Sequence, residues 1–368
     1  MKRLIALSVL STLLLTACKA SGDTIKIGFI GPLTGDAAAL GKDILNGTQI
    51  AVEEVNANGG INGKQVQIIT EDGRCSGSDA TNAAQKLINI DHVVAIVGGS
   101  CSSETLAAAA VAESAKTIVM SPSASSPDIT QAGEYIFRVY PSDAYKTTAM
   151  VKLFQERKYK KIALITENND YAVAIRIGLK EKLLKDMFVL DEVVDLGTKD
   201  FRSVITRLKN QQFDVFIPNA SQNAVMGEMI KQFREMGFLQ PIVTQDVADT
   251  ADVLQMVGDQ ENNVWTFNVP DAGKDTVFEK QFDSSYGKPQ AGIVWAAYGY
   301  DATRVLLSAL QQAQDGESLS KNLLNLQEFK GLIGTFHFDE NGDVLGIPLA
   351  LKQYQAGKIV TIKDIPVD

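Results

Sequence analysis

Residues 93–121 read VVAIVGGSCSSETLAAAAVAESAKTIVMS and contain the pattern that decides the fold. An apolar, β-branched run ends at Gly98-Gly99, an alanine-rich segment begins at Ser102, and a second apolar run begins at Thr117. The short runs predict strands and the longer segment predicts a helix. A strand, a helix and a strand in this order predict a βαβ unit with parallel strands.

The same alternation runs along most of the chain. It begins with TIKIGFIGP (24–32) and a helix from Leu40 to Asn58, and it restarts after Tyr140-Pro141-Ser142-Asp143. Beyond Pro270 the pattern turns helical and ends in a β-rich tail with a hairpin turn at 340–343. Ten or so strands divide better between two sheets than in one. We therefore predict the α/β class, with two doubly wound parallel-sheet lobes and a cleft between them.

The N-terminus has the features of an export signal. Lys2 and Arg3 precede an apolar run from Leu4 to Leu15, which is too short to span a bilayer as a helix. We predict a signal peptide over residues 1–17. Its ending, Leu15-Thr16-Ala17-Cys18, resembles a bacterial lipobox, which implies lipid on Cys18; an ordinary signal peptide with an incidental cysteine is the alternative.

Composition narrows the possible partners. The chain has 368 residues and a formal net charge of −9, and no cluster of basic residues stands out. Nucleic-acid binding needs clustered Lys and Arg to replace counterions, so we expect no nucleic-acid partner. We expect attachment to a membrane through the lipid anchor alone. The remaining cysteines, Cys75 and Cys101, predict a disulfide because the chain is expected to be exported.

Signatures of an enzyme are weak. His92 and His337 are the only histidines and lie far apart in the sequence, which argues against a metal site or a Ser-His-Asp triad. The stretch Gly73-Arg74-Cys75-Ser76-Gly77 follows a strand as a nucleophile elbow would, so an exported hydrolase using Cys75 stays as a rival. We expect no enzymatic activity, no cofactor and no metal.

The loop after the third strand predicts a binding site for an anion. Ligands of open α/β sheets bind beyond the carboxyl ends of the strands, where Gly98-Gly99 lie. Ser102 and Ser103 open a helix whose free N–H groups favour negative charge. A second small polar edge, 121–127, ends the next strand. Together they predict a site for a carboxylate with a polar neighbour; the alternative is that these serines only cap helices.

Several stretches in combination resemble type I periplasmic binding proteins of the leucine/isoleucine/valine-binding family. They are the lipobox, KIGFIGPLTGDAAALGKDILNGTQIAVEEVNANGGINGK, the cysteine pair, CSSET and SPSASSPDIT. The resemblance implies two lobes joined by three hinge crossovers. One lobe would comprise residues 24–142 plus 271–336, and the other 143–270 plus 337–368.

The resemblance also implies the ligand-binding residues. Ser102 matches the family's carboxylate-binding serine, Ser123 a backbone carbonyl that meets the ligand amine, and Ser125 a hydroxyl contact. Tyr171 matches the family's cleft tyrosine, and Asp246 matches the acidic residue that pairs with the ligand ammonium. Leu40 occupies the position of a side-chain pocket residue, and Tyr298 lies on the nearby helix. The chain departs from the family at 219–222, where Asn-Ala-Ser-Gln replaces aromatic residues. This polar stretch puts a branched aliphatic ligand in doubt.

These observations predict a monomeric solute-binding lipoprotein of an ABC importer, exported to the cell envelope, that captures an amino acid by hinge closure. Its partners would be the ligand and an ABC permease. A sensor or binding module for amides, urea or aromatic acids is the alternative.

Overall fold

The computed structural model describes residues 24–258, 261 and 263–367. The predicted signal peptide and Cys18 lie outside the described residues. No helix within these ranges is both long and apolar enough to cross a bilayer.

Strands and helices alternate from Ile25 to Asn268 and give way to a mainly helical and then β-rich segment. The helices are α1 (Ala38–Ala57), α2 (Gly77–Asn89), α3 (Ser102–Ala115), α4 (Asp143–Arg157), α5 (Asp170–Lys182), α6 (Arg202–Thr206), α7 (Asn223–Glu235), α8 (Ala251–Val257), α9 (Val277–Tyr286), α10 (Ile293–Leu310) and α11 (Gly316–Leu324). The strands are β1 (Ile25–Gly31), β2 (Val66–Asp72), β3 (Ala95–Gly98), β4 (Ile118–Ser121), β5 (Ile136–Arg138), β6 (Ile162–Glu167), β7 (Phe188–Val194), β8 (Val215–Asn219), β9 (Ile242–Gln245), β10 (Val264–Asn268), β11 (Phe329–Lys330), β12 (Thr335–Phe338), β13 (Val344–Leu345), β14 (Leu349–Gln355) and β15 (Lys358–Ile365).

The first lobe is built on a parallel sheet in the order β2-β1-β3-β4-β5. Helices α2 and α3 cover one face through small side chains such as Ala84 and Ala108. Helices α1 and α10 cover the other, where Ile44 and Leu306 join the same apolar core as Phe29. Both faces are buried, which explains why these strands are nearly continuous apolar runs.

The second lobe repeats the same winding. Its strands follow the order β7-β6-β8-β9-β10, and β14 and β15 extend the sheet with antiparallel pairing. Separate apolar cores on its two faces contain Phe216 and Phe233 on one side and Phe154 and Phe267 on the other. The predicted α/β chain with two doubly wound lobes and three crossovers is therefore confirmed.

The last crossover comes later than the expected boundary between residues 336 and 337. Phe338 and Val344 lie in the first lobe's core, together with Phe29. Arg138 at the end of β5 makes a buried two-pronged ion pair with Asp343, with N–O distances of 2.6 and 2.8 Å. The hairpin β12–β13 thus packs on the first lobe because its apolar side chains complete that core, and the chain enters the second sheet only at Leu349.

Candidate ligand-binding site

A cavity lies between the carboxyl ends of the two sheets. It contains about 770 Å³ of atom-free space, part of it open to solvent. Both lobes line it, and the residues are Asp36, Ala37, Ala39, Leu40, Ser100, Cys101, Ser102, Ser123, Ala291 and Trp295 from the first, and Tyr171, Ser221, Gln222, Asn223, Asp246, Val247 and Thr250 from the second.

The first-lobe wall depends on two glycines at the end of β3. Gly98 and Gly99 have φ values of +133° and +36°, which disfavour other residues. A Cβ on Gly98 would lie 2.1 Å from the carbonyl oxygen of Ile30, and one on Gly99 would lie 2.4 Å from Thr105 Oγ1. The backbone therefore turns tightly enough to bring the start of α3 to the cavity.

Hydroxyl groups cluster on this wall. Ser102 Oγ accepts a hydrogen bond from the Ser126 N–H at 3.2 Å, so its own proton is available to a ligand. Ser123 Oγ donates to the Ser100 carbonyl at 2.7 Å, and the buried Ser100 Oγ has no hydrogen-bond partner among the described residues. With the N-terminus of α3, these groups favour a negatively charged ligand atom.

The predicted disulfide is present behind this wall. Cys75 and Cys101 are joined, with their Cα atoms 5.2 Å apart. The buried Glu104 carboxylate accepts hydrogen bonds from the Cys75 N–H at 2.9 Å and the Cys101 N–H at 3.0 Å. Burial raises the pKa of Glu104 to about 7 even though these hydrogen bonds oppose the shift. Because Cys75 is oxidised, it has no free thiolate that could act as the nucleophile of the rival hydrolase.

The second-lobe wall has a different chemistry. Asp246 follows β9, and its Oδ1 accepts a hydrogen bond from the Tyr171 hydroxyl at 2.6 Å. Ser221 and Gln222 follow β8, in the stretch that the sequence marked as unusually polar. Gln222 Oε1 is buried without a hydrogen-bond partner among the described residues. This wall therefore combines a carboxylate with amide and hydroxyl groups.

A lysine that sequence reasoning missed lies directly behind Asp246. Lys146 is fully buried on α4, and its Nζ lies 2.5 Å from Asp246 Oδ1 and 2.7 Å from Asp143 Oδ1. Burial lowers the pKa of Lys146, but attraction to the two carboxylates outweighs it and the pKa is raised. The signal was present in the sequence, because Lys146 shares the helical spacing of the buried Met150 and Leu153.

The comparison with known proteins assigns the family. The model of the periplasmic binding protein family matches residues 24–358. The chain belongs to the periplasmic binding protein family. The Leu/Ile/Val-binding protein of Escherichia coli (strain K12) is 25% identical over 351 residues, which cover 93% of this chain and 94% of that protein. A leucine-, isoleucine-, valine-, threonine- and alanine-binding protein of Pseudomonas aeruginosa is 28% identical over 333 residues, which cover 88% of each chain.

A solved structure shares the fold of this periplasmic binding protein. It is the branched-chain amino acid transporter substrate-binding protein LivJ of Streptococcus pneumoniae in complex with isoleucine. The TM-score is 0.82 at 27% identity, covering 94% of this chain and 99% of that one. The architecture is that of the type I periplasmic binding proteins, and members of the family are exported solute-binding proteins rather than enzymes.

Five of the seven predicted ligand residues of this periplasmic binding protein line the cavity, namely Leu40, Ser102, Ser123, Tyr171 and Asp246. The other two do not. Ser125 is buried and donates its hydroxyl proton to Asp143 Oδ2 at 2.8 Å. Tyr298 is buried in the first-lobe core, whereas Trp295, one turn earlier on α10, lines the cavity. Tyr298 thus lies on the same helix as the cavity-lining Trp295, on the face that packs into the core.

Proposed function

We propose that this binding protein is the substrate-binding component of an ABC importer and captures an α-amino acid in the cleft by hinge closure. The observation that carries the proposal is the division of charge across the cavity. Ser102 and the N-terminus of α3 form an anion-favouring wall on one lobe, and Asp246 lies on the other. The names of the E. coli and P. aeruginosa relatives support an amino acid as the ligand.

A zwitterion fits this division. Its carboxylate would accept hydrogen bonds from Ser102 and the first N–H groups of α3, and its ammonium would meet Asp246 and the Ser123 carbonyl. The ligand side chain would extend toward Leu40 and Trp295. A ligand that touches both lobes stabilises the closed state over the open one, because only the closed state offers both sets of contacts.

The polar groups after β8 shape the expected side-chain preference. Ser221 and Gln222 line the cavity, and the buried Gln222 Oε1 has no hydrogen-bond partner among the described residues. An unpaired buried acceptor costs about 1–3 kcal/mol, so a ligand with a donor near Gln222 gains over a purely aliphatic one. We therefore infer a polar or small amino acid in preference to a branched aliphatic one.

The direct test is a thermal-shift panel of the twenty L-amino acids, followed by calorimetry on the best ligand. We expect at least one amino acid to bind, and its N-acetyl and carboxamide derivatives to lose about 30-fold or more in affinity. Loss with the N-acetyl form tests the Asp246 contact, and loss with the amide tests the Ser102 wall. No stabilisation by any amino acid would contradict the proposal.

An aromatic acid without an amine is a second candidate. Lys146 supplies Asp246 with a cationic partner from the protein itself, and Trp295 and Tyr171 line the cavity. The same panel with benzoate and 4-hydroxybenzoate separates the two candidates, because an aromatic acid site binds these compounds more tightly than any amino acid.

We also propose that Cys18 anchors the protein to the cell envelope through lipid. The support is the lipobox-like Leu15-Thr16-Ala17-Cys18 after the apolar run. A Cys18→Ser variant is expected to appear in the soluble extract, and firm membrane association of that variant would contradict the anchor.

A further inference from the structure

The cluster behind the second-lobe wall joins the cavity to the first crossover between the lobes, residues 139–142, which connects β5 to α4. Lys146 Nζ contacts Asp246 at the cavity and Asp143 at the start of α4. Asp143 also accepts the Ser125 hydroxyl at 2.8 Å, and its N–H donates to the Ser125 carbonyl at 2.8 Å. Ser125 belongs to the first lobe, so the cluster connects both lobes.

The Lys146 ammonium contacts only one of the two oxygens of the Asp246 carboxylate. Both hydrogen bonds that described residues make to this carboxylate, from Lys146 and from Tyr171, go to Oδ1. Asp246 still lines the cavity, which leaves Oδ2 as the oxygen for a ligand. With two carboxylates and one ammonium, the ionised cluster carries a single negative charge, and one ligand ammonium neutralises it.

We propose that Lys146 is a positioning residue of the ligand site: it holds Asp246 by Oδ1, places a positive charge against that carboxylate, and links it through Asp143 to the crossover. This inference rests on the proposed amino-acid function and deepens it. The site is thereby set for a ligand with a single ammonium group, and capture of that group requires no proton release from the protein.

Few other titratable groups face the cluster. The Tyr140 and Tyr171 rings lie 5.8 and 5.5 Å from Lys146 Nζ, and burial raises the pKa of both hydroxyls well above the usual range, so both stay neutral. Asp249, three residues after Asp246, is paired with Lys352 at 2.7 Å. Among the described residues, Lys146 is therefore the cation that pairs with both Asp143 and Asp246.

The test compares Lys146→Met with Lys152→Met, an exposed lysine on the same helix. Calorimetry with the tightest-binding of the twenty L-amino acids, in two buffers of different ionisation enthalpy, counts protons released on binding. We expect about none for the parent and for Lys152→Met, and about 0.5–1 for Lys146→Met near pH 6, where the unpaired carboxylates hold a proton. The affinity of the Lys146→Met variant for the amino acid should then weaken by up to about tenfold for each pH unit by which the pH falls.

A second variant covers the case in which Lys146→Met folds poorly. Asp143→Asn combined with Lys146→Met removes a buried charge together with its partner, so Asp246 alone lacks its cation. We expect proton release of smaller size than in the single variant. Proton release near zero in whichever Lys146 variant folds would overturn the inference.

A ligand-free measurement separates this inference from the proposed function. Lys146→Met leaves two buried carboxylates without the cation that contacts them, so stability should fall more steeply than in Lys152→Met as the pH rises from 5 to 8. Failure of the parent to bind any amino acid refutes the proposed function. An unchanged pH dependence of stability in the Lys146 variants refutes the role of Lys146 itself.

Discussion

The two lobes share one winding order but build opposite kinds of wall at the same sheet edge. In the first lobe, neutral hydroxyls and backbone N–H groups surround Ser102, and two glycines and a disulfide hold them in place. In the second lobe, Asp246 carries the charge, and the buried Lys146 and the Tyr171 hydroxyl hold it. One fold thus presents either many weak dipoles or a single strong charge, depending on which residues follow the strands.

The largest effect is expected at the charged wall. Asp246→Asn removes the partner of the ligand ammonium and should cost roughly 2–5 kcal/mol, or about 30-fold to several-thousand-fold in affinity. Calorimetry with the best amino-acid ligand measures it, and the exposed Asp252→Asn is the matched control. A loss of affinity below threefold would contradict the idea that the second-lobe wall binds the ligand through a single strong charge.

Loss of the disulfide tests the mechanical support of the first-lobe wall. Replacing Cys75 and Cys101 by serine should lower the free energy of unfolding by about 3.5 kcal/mol in the chain-entropy model. Urea unfolding of the oxidised parent and of the variant checks this value. Affinity should fall as well, because Cys101 precedes Ser102; equal urea midpoints would contradict the prediction.

The pH dependence of stability tests the carboxyl group behind the same wall. The pKa of Glu104 is raised from 4.5 to about 7. A raised pKa in the folded state adds stability below pH 4.5 that is lost as the pH rises through 7, amounting to at most about 3 kcal/mol. Urea unfolding between pH 4.5 and 8 should show a smaller decline for Glu104→Gln than for the parent.

Asp301 on α10 gives the matched comparison. Its pKa is also raised by burial to about 7, so Asp301→Asn should remove a decline of the same sign. Because both carboxyl groups contribute, each single variant is expected to retain part of the decline in stability with rising pH. A decline in Glu104→Gln equal to that of the parent would contradict the role of Glu104.

The smallest effect is expected at the hydroxyl wall. Ser102→Ala removes one donor to the ligand carboxylate while the N–H groups of α3 remain, and the loss should be about 1.5–2 kcal/mol, or roughly 10- to 30-fold. Calorimetry beside Asp246→Asn measures the difference between the walls. A loss for Ser102→Ala as large as that for Asp246→Asn would remove the distinction between them.

The sequence was most informative where the site is contiguous. Strand end, glycines and helix start lie together in residues 97–103, so local chemistry sufficed to predict the first-lobe wall. The second-lobe cluster joins Lys146 to Asp246 across 100 positions of the chain, and no local pattern connects them. The sequence did not single out Trp295, because only the packing of α10 decides that Trp295 rather than Tyr298 faces the cavity.

The boundary of the last crossover was missed for a related reason. The hairpin that contains Asp343 looks like a self-contained β unit, and its assignment to the first lobe depends on long-range contacts, namely the Arg138–Asp343 ion pair and the burial of Phe338 and Val344. The lobe to which this hairpin belongs is thus decided by contacts between residues far apart in sequence, which local sequence patterns do not reveal.

The repeated crossing between the lobes also governs the order in which the chain can be assembled during synthesis. The core around Phe29 requires Phe338 and Val344, which are synthesised after every strand from β6 to β10. The second lobe's cores include Leu351 and Tyr354, close to the C-terminus. A nascent chain can therefore finish neither core until nearly all of it has left the ribosome.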